Sequence, residues 1–159
     1  MAVYAVPRVA AAAHVAMAGG AARPGQVFVA ERVPQHDGPE TVLEMLNRPE
    51  PFFAFRADDA AADEAFIFVS KAQTIAVVQH RQAPISDPAR LSAAKLIGLE
   101  LVLSDDSTLT GWASVELPPE QSRLSDYLNA SVDPFLSVWT HAATHYVNRG
   151  HVRFARPLD

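Results

Sequence analysis

The chain has 159 residues, 49% of them hydrophobic and 19% charged, with a formal net charge of −5 at pH 7. That balance belongs to a folded globular protein and excludes a basic field drawing in nucleic acid or an anionic membrane. Cysteine is absent, which excludes disulfides, thiolate metal sites and cysteine nucleophiles.

The opening stretch, MAVYAVPRVAAAAHVAMAGGAA, is apolar and rich in alanine. A secretory leader wants a basic region ahead of its apolar core, whereas here Pro7, Arg8 and His14 interrupt the apolar run. It reads as the start of a buried strand. No segment is long enough to span a membrane without a charge or a histidine. A Gly-rich turn and Gly25 lead to a second β-prone run ending near Pro34. GPETVLEMLN (38–47) then has helical spacing, with Asp37 suited to the cap and Pro39 to the first turn. Val42, Met45 and Leu46 form its apolar face, and Asn47 suits a left-handed stop. Pro51-Phe52 opens a third strand, and FIFVSKAQTIAVV (66–78) reads as the closing one.

Residues 81–94 carry two prolines and mixed polarity and read as a linker. Beyond it Leu99, Leu101 and Leu103 alternate with Glu100, Val102 and Ser104 as in a half-buried strand. Asp105-Asp106-Ser107 is turn chemistry. Leu109, Gly111, Ala113 and Val115 fall on one face of the returning strand and Trp112 on the other. A short helix follows, with Ser122 or Ser125 as cap, Leu124, Tyr127 and Leu128 as its apolar side, and Asn129 at its end. Pro134-Phe135 opens the next strand, and THYVNRGHVRFAR (144–156) closes the chain.

The second series repeats the first. Gly25 matches Gly111, and Val29 matches Val115. The helical segments align Val42 with Leu124, Leu46 with Leu128 and Asn47 with Asn129. Pro51-Phe52 falls on Pro134-Phe135, Val69 on Val147 and Lys71 on Arg149. The expected fold is therefore α+β and β-rich, a tandem duplication of a strand–strand–short helix–strand–strand unit. The copies span residues 1–80 and 95–159, each of a length that is marginal alone. They are expected to pack about a pseudo-twofold axis, as two small barrels or as one composite sheet.

Gly111, Arg123, Leu124, Ser125, Asp126, Leu128, Asn129 and Phe135, followed by Val147-Asn148-Arg149 and Val152, form the most pattern-like part of the chain. They resemble the signature of a family of short, uncharacterised bacterial proteins: Gly, then Arg-(Leu/Val)-Ser-Asp-x-Leu-Asn, then a Phe-containing strand. The resemblance covers roughly residues 95–157, and the first copy is a degenerate version without the Arg-x-Ser-Asp part. It implies the fold of the repeat and carries no activity. As a structural signature, Gly111, Arg123, Ser125, Asp126, Leu128, Asn129 and Phe135 belong to this joint rather than to catalysis.

Chemistry has few candidates. His141 and His145 stand four apart, with His151 as a third imidazole, but they fall in an expected loop with no helical face to gather them. Arg149, His151 and Arg153 share one face if the closing segment is a strand, and Arg156 lies beyond. That group could take an anion, or it could guard an exposed edge. Asp105-Asp106 and Asp58-Asp59 lack the spacing of a calcium loop. No strained Gly-x-Ser-x-Gly elbow surrounds Ser125.

The function expected is a non-catalytic protein–protein interaction module, an assembly, adaptor or accessory subunit of a bacterial complex, without a cofactor and located in the cytoplasm. Its partner would be another protein or a second copy of the chain, with no nucleic acid and no membrane span. The alternative is a small-ligand or cyclic-nucleotide sensor using Arg149, His151, Arg153 and Arg156. A lesser one is a metal-binding protein or hydrolase using His141, His145 and His151.

Overall fold

The alternating apolar runs become strands, and the computed structural model describes residues 7–60, 66–80, 95–115, 124–130 and 132–158. Its first half holds β1 (Arg8–Met17), β2 (Arg23–Ala30), α1 (Val42–Asn47), β3 (Phe52–Ala57), β4 (Ile67–Ser70) and β5 (Thr74–His80). The second half holds β6 (Lys95–Leu103), β7 (Thr108–Val115), α2 (Leu124–Ala130), β8 (Phe135–Trp139), β9 (Ala143–Asn148), a single 3₁₀ turn (Arg149–His151) and β10 (Val152–Leu158). All ten strands join one open antiparallel sheet, in the order β10-β6-β7-β8-β9-β5-β1-β2-β3-β4. Arg123 and the 81–94 linker lie outside the described residues.

Each closing segment that reads as one strand is two. The first is broken after Ser70 by a turn in which Gln73 N–H donates to Ser70 O and Thr74 N–H to Lys71 O. The second is broken by the 3₁₀ turn, whose Gly150 N–H is capped by the Asn148 side chain at 2.9 Å. Neither break carries a proline, so periodicity alone runs across both.

The two halves pair in the same register. Gly25 lies opposite Ala13 on β1, and Gly111 opposite Leu99 on β6. Phe53 lies opposite Val69, and Leu136 opposite Val147. A bulge interrupts β1–β5 between Ala16 and Met17, skipping Ile75, and another interrupts β6–β10 between Val152 and Phe154, skipping Arg153. The glycines have one job. A Cβ on Gly25 would sit 2.3 Å from the Arg56 carbonyl oxygen, and one on Gly111 2.3 Å from that of Trp139. A side chain at either place would push the neighbouring strand away.

Burial follows the alternation. Leu99, Leu101 and Leu103 are buried, Ala113 is buried, and Trp112 faces out. One cluster lies under α1, with Val15, Val27, Met45, Leu46, Phe55 and Val77 among its members. A second gathers Leu99, Leu101, Ala113, Leu124, Val138 and Val147. The helix caps differ from expectation. Thr41, not Asp37, caps α1, and Pro39 lies ahead of the helix rather than in its first turn: the Thr41 hydroxyl accepts the Glu44 N–H at 3.1 Å, and the Glu44 carboxylate accepts the Thr41 N–H at 2.9 Å. Thr-x-x-Glu satisfies two orphan helix donors at once, which a single Asp cap does not. Among the described non-glycine residues only Asp106 takes a positive φ, so neither Asn47 nor Asn129 is a left-handed stop.

Candidate functional site

Several side-chain hydrogen bonds cross the joint between the two halves. β5 and β9 pair from Ala76↔Val147 to His80↔Ala143. Beside this ladder, Asn47 Oδ1 accepts the Phe135 N–H at 2.9 Å and its Nδ2 donates to the Phe135 carbonyl at 3.4 Å. Phe135 is thereby held in the first half's core, only 2% exposed. Asn148 Nδ2 donates to the Lys71 and Thr74 carbonyls, each at 3.0 Å. Tyr146 donates its hydroxyl proton to Gln79 Oε1 at 3.0 Å, and its ring packs on the first cluster.

Two cations serve the helix ends. The Lys71 ammonium, almost fully buried, donates to the Met45 carbonyl at 2.8 Å and the Arg48 carbonyl at 3.0 Å. Burial holds its pKa below that of an ordinary lysine. Arg149 donates to the Leu128 carbonyl at 3.4 Å, the same service for α2.

The sheet's two ends present the opposite character. Among the described residues no strand pairs with the outer edge of β4 or of β10. Beside the β4 edge the Phe28, Phe66 and Phe68 rings form a chain, with centroids 5.3 and 5.7 Å apart. Phe52, Phe66, Ile67 and Phe68 are all exposed, Phe68 to 66%. At the other end Phe154 and Leu158 are exposed on β10, and Leu158 lines a shallow recess with Leu96, Gly98 and Trp112. Contiguous exposed aromatics beside an unpaired edge are uncommon on a chain that works alone.

The histidines are not gathered. His141 lies in the turn before β9, its ring edge-on to Trp112 at 5.1 Å. His145 stands on β9 rather than in a loop, half-buried, and burial with the nearby His80 keeps its pKa below the usual value. It faces Val78, which faces His14, and His14 meets His80 edge-on at 4.8 Å. His151 Nε2 donates to the Ala72 carbonyl at 2.7 Å, which leaves Nδ1 to accept from Ser104 at 2.8 Å. No three His, Asp or Glu side chains among the described residues are placed to hold a metal ion.

The arginines do not share a strand face. Arg149 and His151 belong to the 3₁₀ turn, and Arg153 stands at the bulge. Arg153 is ion-paired with Asp106, and Arg156 with Glu100 at 3.0 Å. Ser125 lies within α2, where its carbonyl accepts from Asn129 Nδ2 at 2.8 Å, and Asp126 lies in the first turn. Asp105 caps its hairpin by accepting from the Ser107 N–H and hydroxyl, which holds its carboxyl below the usual range. The Leu-Asn and Pro-Phe signals marked Asn47 and Phe135 in the sequence. Nothing in them indicated that these two residues meet each other.

No family model, curated protein or solved structure matches the chain. No helix among the described residues is long and apolar enough to cross a membrane.

Proposed function

We propose that this chain is a tandem duplication of a strand–strand–helix–strand–strand–strand module that acts without catalysis, as a protein–protein interaction subunit of a larger assembly. Shared registers, the shared bulge and the paired glycines support two copies, residues 1–80 and 95–159, connected by 81–94. The observation that carries the interaction reading is the open β4 edge with Phe52, Phe66 and Phe68 exposed beside it. An unpaired edge offers backbone donors and acceptors, and the adjoining aromatic surface offers area to bury. The sensor reading finds less support, because Arg153 and Arg156 already face carboxylates.

The test is affinity purification of the tagged chain from its host at native abundance, with Phe68→Glu in parallel. Phe68 is exposed enough for the variant to fold. The wild type should bring down a stoichiometric protein, another chain or untagged copies of itself, and the variant should lose it. A wild type that emerges alone contradicts the reading. A melting screen with nucleotides, cyclic dinucleotides and divalent metals should stay flat, since a ligand of the folded state would raise the transition.

A further inference from the structure

We propose that the two free edges pair with each other between chains, β4 of one copy against β10 of the next, remaking outside the chain the joint that β9 and β5 make inside it. This rests on the duplication and interaction reading above and names its partner as a second copy.

The register carries the argument. Within the two halves β4 occupies the place of β9, since Phe53↔Val69 repeats as Leu136↔Val147. β10 occupies the place of β5, since His14↔Val78 and Ala16↔Ala76 repeat as Glu100↔Arg156 and Val102↔Phe154. Inside the chain Val77 faces Tyr146 and Val78 faces His145. Carried to the open ends, that register puts Ala155 opposite Phe68 and Arg156 opposite Ile67.

The backbone groups point the right way. Lys71 N–H donates to Pro51 O, so on β4 the odd-numbered residues bond β3 and Phe68 turns its groups outward. Leu103 N–H donates to Ser107 O, so the even-numbered residues of β6 bond β10. Ala155 and Pro157 therefore face the free edge. Pro157 has no N–H, so its pair would carry a single hydrogen bond.

Side chains tell the same story. Phe135, buried in the first half and clamped by Asn47, has Phe52 as its counterpart, and Phe52 is 54% exposed. Asn129, the counterpart of Asn47, is exposed, and its Nδ2 donates within its own helix to the Ser125 carbonyl. Met45, Leu46 and Val77, which receive Phe135 and Tyr146, are buried, whereas their counterparts Tyr127, Leu128 and Ala155 are only partly buried. The second half has the seat, and the first half has the aromatic face that fits it. The contact is head-to-tail, so repetition gives a closed ring if the rotation closes and an open chain if it does not.

The experiment is light scattering on the full chain at micromolar concentration. Two variants each block one edge: Phe68→Glu on β4, and Ala155→Pro on β10, where only an outward N–H is lost. Asn129→Lys is a second β10-side block should Ala155→Pro fail to fold by circular dichroism. The wild type should exceed the 17.2 kDa of one chain. Each folded variant alone should be a single chain, and an equimolar mixture should give a dimer, because one intact pair of edges remains. A single-chain wild type, variants that keep the wild-type mass, or a mixture that stays single each overturns the proposal. A single-chain wild type that still captures a different protein from its host removes self-assembly and leaves the interaction reading standing.

Discussion

Asn47 brackets the backbone of Phe135, accepting its N–H through Oδ1 and donating to its carbonyl through Nδ2. One residue ends the first half's helix and the other opens a strand of the second. The amide thus ties the two halves together at a partly buried place where water cannot readily replace it. In the proposed duplication, Asn129 and Phe52 are the counterparts of Asn47 and Phe135, and both are exposed.

Asn47→Ala removes both bonds and leaves the Phe135 N–H without its acceptor. The expected loss is about 1–3 kcal/mol, the cost of a stranded backbone group. Asn47→Asp keeps the acceptor and should lose less. Urea unfolding measures both, and an unchanged midpoint in Asn47→Ala would deny the clasp any part in stability.

Gly25→Ala and Gly111→Ala should be equally damaging, because each new Cβ meets a neighbouring carbonyl oxygen at 2.3 Å. Overpacking of this kind costs about 1–3 kcal/mol. Gly20→Ala has nothing within 4 Å and should shift stability by less than about 0.5 kcal/mol. Thermal melts of the three variants give the comparison, and a harmless Gly111→Ala would remove the shared role of the glycines.

The joint should loosen in acid through His145. Burial and the nearby His80 lower its folded pKa below 6.5, with His14 in the same row. Its contribution is therefore full above the unfolded value and is lost as pH falls through the window below 6.5, where the unfolded chain takes up the proton first. His145→Gln should flatten that dependence. His36 acts with the opposite sign: the Asp37 carbonyl and Glu44 carboxylate raise its pKa, so its contribution is present in acid and fades as pH rises past the raised value. Imidazole resonances followed by NMR across this range check both directions.

Tyr127 should ionise late for a tyrosine. Burial pushes its pKa up to about 12 from 10. The neutral ring's contribution is present below pH 10 and lost between 10 and 12, where the unfolded chain ionises first. Ultraviolet titration should show a late tyrosinate step that is absent from Tyr127→Phe. A late step that survives the substitution would contradict this assignment.

Much of the fold was legible because it is local. Alternation located Leu99, Leu101 and Leu103, and turn chemistry located Asp105–Ser107. Two things were hidden. The breaks at Lys71–Gln73 and Arg149–His151 lack proline and are held by distant groups, among them Asn148 donating to the Lys71 carbonyl. The pairing of β5 with β9 was hidden as well, because alternation says which face of a strand is buried and nothing about which strand lies beside it. The same limit applied to the site. Exposed Phe66 and Phe68 look like core residues in a sequence, and only the strand order places them at an edge.

In the proposed assembly the joint between β5 and β9 is repeated between chains, β10 of one copy against β4 of the next. Disulfide trapping tests it in a chain with no cysteine of its own. Ile67→Cys and Arg156→Cys, both exposed, are the pair that the internal register puts directly opposite, as Val78 lies opposite His145. Such non-hydrogen-bonded neighbours have Cα atoms about 4.5 Å apart, within reach of a disulfide. Mild oxidation of the double variant should give covalent dimers and longer species on a non-reducing gel, with neither single variant doing so. A double variant that stays a single chain, or a single variant that cross-links as well, would contradict the claim.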